Sequence, residues 1–294
     1  MILSRNTVTV DMYGKERSLA GIQQFNIAAN NTDIHHFISG CIPPHWHDEL
    51  EIFVLLSGKV EVGTGDTTHI VNAGEGCFIN ADVLHTFKAL VPTECMFRSF
   101  VFDRSIVAGT PGSIFDTQYV RPLIENGSSY IHIPANIQNQ HFFEIFNKCF
   151  DACSSDKPGY EFTVRDCLSQ MLLIIGSEIE NIENNSIPHI AEIRVKIMIE
   201  WIDKNLTGNI TVKDIADSVN ICTRECQRIF KKYIHYRPME YVQIRRIMRA
   251  AELLKTTGSN VTDIAMDCGF PSVSYFTKQF KLIVGKSPIK YRKE

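Results

Sequence analysis

Two histidines and a glutamate stand at spacings that suit metal or ligand chemistry: Pro43-Pro-His45-Trp-His47-Asp-Glu-Leu-Glu51, followed by Gly58 and later by His85. Residues two apart project from the same face of a strand, and Glu51 lies an even number of positions further on, so one face can offer two imidazoles and a carboxylate. His85, from another strand, would be the fourth ligand. Such donors bind divalent Zn, Fe, Mn or Ni. Two other uses of these residues stay open: a polar wall for a small organic effector, and histidines that serve only the core. Trp46 is expected to point the opposite way and to pack.

A second constellation is a repeat. Thr211-Val-Lys-Asp-Ile-Ala returns as Asn260-Val-Thr-Asp-Ile-Ala, and Phe230-Lys231 returns as Phe280-Lys281. Each copy opens on a capping residue with an aspartate three positions later, which marks a helix start. Val212, Ile215, Ala216 and Val219, like Val261, Ile264, Ala265 and Cys268, recur at spacings of three and four, so one face of each helix is buried. Asn220 and Gly269 tolerate left-handed backbone and end them. A second helix follows each turn. In the first copy Cys222-Thr-Arg-Glu225 has the form of a capping box, and Cys226, Ile229 and Phe230 face inward. That leaves Arg224, Gln227, Arg228 and Lys231 outward, with Lys232 beside them. In the second copy Ser272 caps, Phe276 and Phe280 pack, and Ser274, Tyr275, Lys278 and Lys281 are free. These outward groups can donate to phosphates and read base edges in a major groove, whereas a merely solvated face needs no such repetition.

The elements that position these residues divide the chain. From Ile190 onward there are 19 Lys and Arg against 11 Asp and Glu; residues 1–189 hold 11 against 22. A basic module gains affinity for DNA by neutralising phosphates. Tyr241, Ile244, Ile247, Met248, Ala251 and Leu254 predict a helix over 239–255, about 25 Å long. That length can hold two recognition helices near the roughly 34 Å between major grooves on one side of a duplex.

In the other half, residues 23–27, Glu51-Ile-Phe-Val-Leu-Leu, Lys59-Val-Glu-Val and His69-Ile-Val-Asn are separated by Gly58, Gly63-Thr-Gly65 and Gly74-Glu-Gly76. Evenly spaced strands with glycine turns imply a sandwich or small barrel, here over about residues 19–102. Two apolar helical stripes follow. Phe142, Phe143, Ile145, Phe146, Cys149 and Phe150 form one. Phe162, Val164, Leu168, Met171, Leu172, Ile175, Ile179 and Ile182 form the other. The break at Ser154-Ser-Asp-Lys-Pro-Gly159 separates them.

With these residues in view, the stretch from about Arg194 to Glu294 resembles the DNA-binding domain of AraC-type transcription regulators. The shared pattern includes Ile215-Ala216, Arg228-x-Phe230-Lys231, Pro238-x-x-Tyr241, Arg245, Gly269-Phe270, Ser274-Tyr275-Phe276, Gly285-x-Ser287-Pro288 and Tyr291-Arg292. His235 stands where the family usually has glycine, and Cys222 where it usually has a serine cap. The resemblance implies two helix-turn-helix units joined by a long helix, with Arg224, Gln227 and Arg228, then Ser274, Tyr275 and Lys278, against bases. It also implies a homodimer paired through Leu168, Met171, Leu172, Ile175 and Ile179, contact with RNA polymerase, and activation as the commoner behaviour. The His45, His47, Glu51 pattern with Gly58 is similar to the first cupin motif, and His85 holds the histidine position of the second. Asn72-Ala-Gly74 departs from the usual proline-x-glycine.

The expected fold is therefore α+β in two domains. A cupin-like barrel covers 1–110, a helical dimerisation or packing segment 111–183, a linker 184–190, and an all-α double helix-turn-helix 191–294. The expected function is a cytoplasmic, homodimeric regulator that binds double-stranded DNA and answers to a small-molecule effector, with a carbohydrate suggested by family. No cofactor is certain; a divalent metal is one reading of the histidines. Competing readings are a metal-dependent cupin enzyme with a DNA-binding appendage, and a regulator acting by abundance alone. No phosphate loop or nucleophile elbow supports catalysis. Nine cysteines without a CxxC fit reduced thiols, and Cys149 and Cys153, one helical turn apart, are read first as small core hydrophobes, with a shared metal or a redox role as the alternative. No targeting or membrane-spanning stretch is visible.

Overall fold

The structure is a computed structural model that describes residues 2–3, 25–155, 157–179 and 190–293. Its strands are β1 (Ile2–Leu3), β2 (Ile27–Asp33), β3 (Cys41–His45), β4 (Leu50–Leu55), β5 (Lys59–Thr64), β6 (Thr67–Asn72), β7 (Gly76–Ile79), β8 (His85–Ala89), β9 (Met96–Phe102) and β10 (Tyr130–Ile133). The helices that accompany them are α1 (Ser105–Ala108), α2 (Arg121–Asn126), α3 (Gln140–Ser155) and α4 (Tyr160–Ile179). One sheet has the order β1-β2-β9-β4-β7-β10 and the other β3-β8-β5-β6. Phe53, Leu55, Ile79 and Phe97 of the first pack with Ile42, Val60, Val62 and Phe87 of the second, so a core lies between the two sheets.

β4 explains why one strand reads as an unbroken apolar run. All six of its residues are buried. Phe53 and Leu55 belong to the core between the sheets, whereas Ile52 and Val54 join Phe100, Phe102, Phe142, Phe146 and Leu168 under α3 and α4. A strand covered on both faces needs no polar alternation. Glu51 is therefore the informative residue: by period-2 spacing it shares the inward face with Phe53 and Leu55.

Two expectations change here. Residues 111–183 are not purely helical, because Tyr130 to Ile133 pair antiparallel with β7 and extend the larger sheet. A four-residue alternation is too short to separate from loop without its partner. The proposed dimerisation face is also spent within the chain: Leu168, Met171, Leu172 and Ile175 are buried in the core with α3 and the sheet. Among the described side chains of α4, the large apolar ones that are exposed are Phe162, 81% accessible, and Leu173, 54%. The stripe that suggested an intersubunit seam is the inward face of a covering helix. Residues 4–24, Ile182 and 184–189 of the expected linker lie outside the described residues, as does the side chain of Ile179, whereas Ile190 already opens a helix.

The second compact unit is all-helical: α5 (Ile190–Lys204), α6 (Val212–Asp217), α7 (Thr223–Ile234), α8 (Pro238–Thr256), α9 (Val261–Asp267), α10 (Val273–Val284) and α11 (Pro288–Lys293). The long helix starts with Pro238 at its first turn, where a missing N–H costs nothing, and Glu240 accepts from the Arg237 amide at 2.8 Å. Among the described residues no helix is long and apolar enough to cross a membrane.

Candidate functional site

His45, His47, Glu51 and His85 converge, though not by the predicted route. His45 closes β3, but His47 has left the strand and stands in the turn before β4. His45 and His85 are direct cross-strand partners in the smaller sheet, beside the register shift that Pro43 and Pro44 impose on an edge strand. Glu51 comes from the facing sheet. Trp46 is buried, as a packing residue should be.

The imidazole rings of His45 and His85 lie 4.1 Å apart between centroids, and those of His47 and His85 5.0 Å. Each ring is held from behind. His45 Nδ1 is 2.8 Å from the Pro43 carbonyl, His47 Nδ1 is 3.0 Å from that of Glu49, and His85 Nδ1 is 2.8 Å from that of Val83. A carbonyl can only accept, so each Nδ1 carries a proton and each Nε2 is turned to the cluster, where it offers a lone pair to an ion or, when protonated, donates to Glu51. Glu51 Oε2 lies 3.2 Å from His85 Nε2 and 3.6 Å from His47 Nε2. The three histidines each place a ligand nitrogen within 4.8 Å of the others. All four residues are at most 5% exposed.

Electrostatics favour a neutral His45 and a charged Glu51 carboxylate. Burial, then the neighbouring His85 and His47, lowers the His45 pKa well below the ordinary imidazole value. Burial alone would raise that of Glu51, but the imidazoles of His47 and His85 outweigh it and hold the carboxyl far below the usual range. Backbone-anchored histidines with converging nitrogens are how proteins orient metal ligands. The interior beside them is not open: Phe53 stacks on Phe87 at 4.7 Å and on Phe97 at 4.9 Å, and Phe87 meets His85 edge-on at 5.7 Å.

In the helical unit the repeat is structural. Thr211 Oγ1 accepts from the Asp214 amide, and the Asp214 carboxylate accepts from the Thr211 amide at 2.9 Å; Asn260 accepts from the Asp263 amide at 2.8 Å. Asn220 and Gly269 both adopt positive φ, at 54° and 76°. α7 and α10 have twelve residues each. Arg224, Gln227, Arg228, Lys231 and Lys232 on α7, and Ser274, Tyr275, Lys278 and Lys281 on α10, are exposed. Cys226, Ile229, Phe230, Phe276 and Phe280 are buried beneath them.

Two details depart from expectation. Cys222 occupies the N-cap position but makes no side-chain cap, because a thiol is a weak acceptor; Ser272 does cap, accepting from the Tyr275 amide at 3.2 Å. Glu225, freed from a capping box, takes Arg228 in a two-pronged pair at 2.6 and 2.8 Å. At the other end of α7 His235 holds a left-handed conformation, φ 62°, matching Gly285 after α10 at φ 82°. A side chain there strains the backbone, so His235→Gly is expected to stabilise the helical unit by about 1 kcal/mol. Urea unfolding measures this; an unchanged or lower midpoint would show that His235 gains as much from its surroundings as it loses in backbone strain.

Sequence reading overlooked what aligns the two helix pairs. Arg245 Nε reaches Asp203 Oδ1 of α5 at 3.0 Å, both side chains largely buried. Arg246 bonds the Leu206 carbonyl at 2.8 Å and that of Gly208 at 2.6 Å. Adjacent arginines on a helix that otherwise reads as half exposed are the only sequence signal, and they look like phosphate contacts.

A family model described as an AraC-like ligand binding domain matches residues 38–166, and one described as a helix-turn-helix domain matches residues 215–294. The chain is 27% identical over 289 residues to the uncharacterized HTH-type transcriptional regulator YdeC of Bacillus subtilis, covering 97% of each. It is 39% identical over 95 residues to the HTH-type transcriptional activator AarP of Providencia stuartii, covering 32% of this chain and 70% of that one. It is 24% identical over 259 residues to the melibiose operon regulatory protein of Escherichia coli, covering 85% and 83%.

Proposed function

The chain belongs to the AraC family of transcription regulators, and we propose that it reads two adjacent major grooves with α7 and α10 under the control of an effector held at the histidine cluster. The observation that carries the DNA reading is the repeated helix pair with matched caps and a polar, cationic outer face. Arg224, Gln227 and Arg228 of α7, with Ser274, Tyr275 and Lys278 of α10, are assigned to base edges. Lys231, Lys232 and Lys281 are assigned to phosphates. α8, nineteen residues and so about 28 Å of helix, spaces the two. Gln227→Ala or Lys278→Ala is expected to cost about 1–3 kcal/mol at particular base pairs of the target. Lys231→Ala should instead weaken all sequences alike and flatten the salt dependence. Binding titrations on target and scrambled duplexes decide; equal losses on both for Gln227→Ala would move that residue to the phosphates.

For the effector, the donors fit a divalent cation. His45, His47 and His85 offer Nε2, Glu51 a carboxylate, and each imidazole is pre-oriented by a backbone carbonyl. A cation there would neutralise Glu51 and join both sheets through their own side chains. Phe53, Phe87 and Phe97 fill the interior alongside, which suits an ion or a small chelating molecule better than a sugar. A carbohydrate is the second reading, supported by the Escherichia coli relative named for the melibiose operon. Control follows only where the effector binds one arrangement of the protein better than another. Protein purified without chelator or affinity metal is expected to carry one divalent ion per chain, lost in His47→Ala. Metal-free protein stabilised by a sugar, and not by divalent ions, would reverse the order of the two readings. Two copies are proposed to pair, with Phe162 and Leu173 the exposed apolar residues of α4 available for it. Activation and contact with RNA polymerase are proposed on family grounds alone.

A further inference from the structure

The segment Asn80 to Leu84, between β7 and β8, meets the histidine cluster at one end and a helix at the other. Toward the cluster, the Asp82 amide donates to the His47 carbonyl at 2.8 Å, and His85 Nδ1 donates to the Val83 carbonyl at 2.8 Å. Ile79, just before the segment, is the cross-strand partner of Glu51. Toward the helix, Asn80 is buried, 4% exposed, and its Nδ2 lies 3.1 Å from the Leu123 carbonyl, 3.3 Å from that of Ile124 and 3.4 Å from that of Ser128. Its backbone amide donates to the Ser129 carbonyl at 3.1 Å. Leu123 and Ile124 lie at the end of α2, where carbonyls lack a partner within the helix, so one side chain holds that end. Asp82 has a left-handed backbone, φ 58°. Such conformations persist where their surroundings impose them, and they gather at ligand clamps and switches.

Capping a helix end is the simpler role for Asn80, and it needs no link to a ligand site. Two observations go beyond it. The helix cap at Asn80 and the anchors of two cluster histidines, at Asp82 and Val83, follow one another along a single short segment, so displacing one moves the others. A wide turn, Asp116–Val120, also precedes α2, with the Arg121 amide reaching back five residues to the Asp116 carbonyl. Such turns are rare in helices and frequent at functional sites. Ile114, Phe115 and Tyr119 around it are exposed, so a change there reaches the surface. We propose that Asn80 is a positioning residue that couples occupancy of the His45, His47, Glu51 and His85 site by a divalent cation to the setting of the helical stretch 114–126. The inference rests on the metal reading of that site. An ion that draws in His47 and His85 pulls on Asp82 and Val83, and Asn80 passes the displacement to Leu123 and Ile124. Coupling follows because the ion binds one placement of the segment better than another.

The test titrates the full chain with Co2+, whose visible absorption reports the bound ion, and uses His47→Ala to show that the ion sits at the histidines. Hydrogen–deuterium exchange of the 114–126 amides is then followed with and without Co2+. Exchange there should slow about tenfold beyond any change in α3, within the usual range of coupling between sites. Protection that comes only from overall stabilisation slows both stretches alike. Asn80→Ala should keep the absorption and lose the excess slowing. Absorption without excess slowing in the unaltered chain overturns this proposal alone, and no variant is needed to reach that result. Full excess slowing in Asn80→Ala also overturns it. Absence of the absorption overturns the metal reading and this proposal together.

Discussion

Arg245→Ala is expected to destabilise the helical unit by about 3–5 kcal/mol, a substantial part of what a domain of this size has. The reason is asymmetry rather than the strength of the pair. Arg245 Nε and Asp203 Oδ1 are 3.0 Å apart, with the two side chains 12% and 4% exposed. Forming the pair repays little beyond its own desolvation, but removing the cation alone leaves a carboxylate in a site water does not reach. The double change Asp203→Leu with Arg245→Met should therefore be milder than Arg245→Ala, because neither charge is left behind. Urea unfolding of the three proteins separates the cases. A double variant less stable than the single one would mean that the pair itself, not the stranded charge, supplies the stability. Function should follow stability here, since the contact joins α5 to α8, the spacer between the two recognition helices.

Gly269→Ala is expected to cost about 2–5 kcal/mol, combining roughly 1–2 for the left-handed backbone with roughly 1–3 for overpacking. Gly269 has φ 76°, and a Cβ added there would lie 2.8 Å from the Thr207 carbonyl oxygen and 3.1 Å from Arg246 Cζ. Neither neighbour can yield freely. Arg246 is held by the Leu206 and Gly208 carbonyls, and Thr207 lies in the same short loop. The turn between α9 and α10 would have to shift, and α10 with it, so target affinity should fall even where the unit stays folded. Gly285→Ala is the built-in control: its φ is also positive, at 82°, but nothing lies within 4 Å of the added carbon. It should pay the backbone cost alone. Equal losses for the two variants would remove the packing argument and leave only the conformational one.

Both sites show where sequence reasoning stops. Gly269 was legible as a helix terminator, because a left-handed residue after an amphipathic stretch is a local matter. The close approach of Thr207, sixty-two positions away in the chain, was not. Arg245 was legible as part of a family pattern without its partner Asp203, since nothing in residue type distinguishes a cation aimed at phosphate from one turned into a core. Arg228 stands on the predicted outer face, but its pairing with Glu225 emerged only once Cys222 was seen not to cap.

The amino-acid sequence by itself determined the two-domain division, the caps at Thr211, Asn260 and Ser272, the turns at Asn220 and Gly269, the polar faces of α7 and α10, and the choice of His45, His47, Glu51 and His85. The caps, turns and polar faces depend on hydrogen bonds and side-chain periods that close within a few residues, and the domain division on charge and pattern summed over long stretches, so the chain carries them in its own order. The tertiary structure alone decided that β10 joins the larger sheet, that Leu168, Met171, Leu172 and Ile175 face their own core, that His47 reaches the cluster from a turn, and that Arg245 meets Asp203. Those outcomes turn on which distant surface covers each apolar face. An apolar stripe records that it must be buried and carries no record of what will bury it.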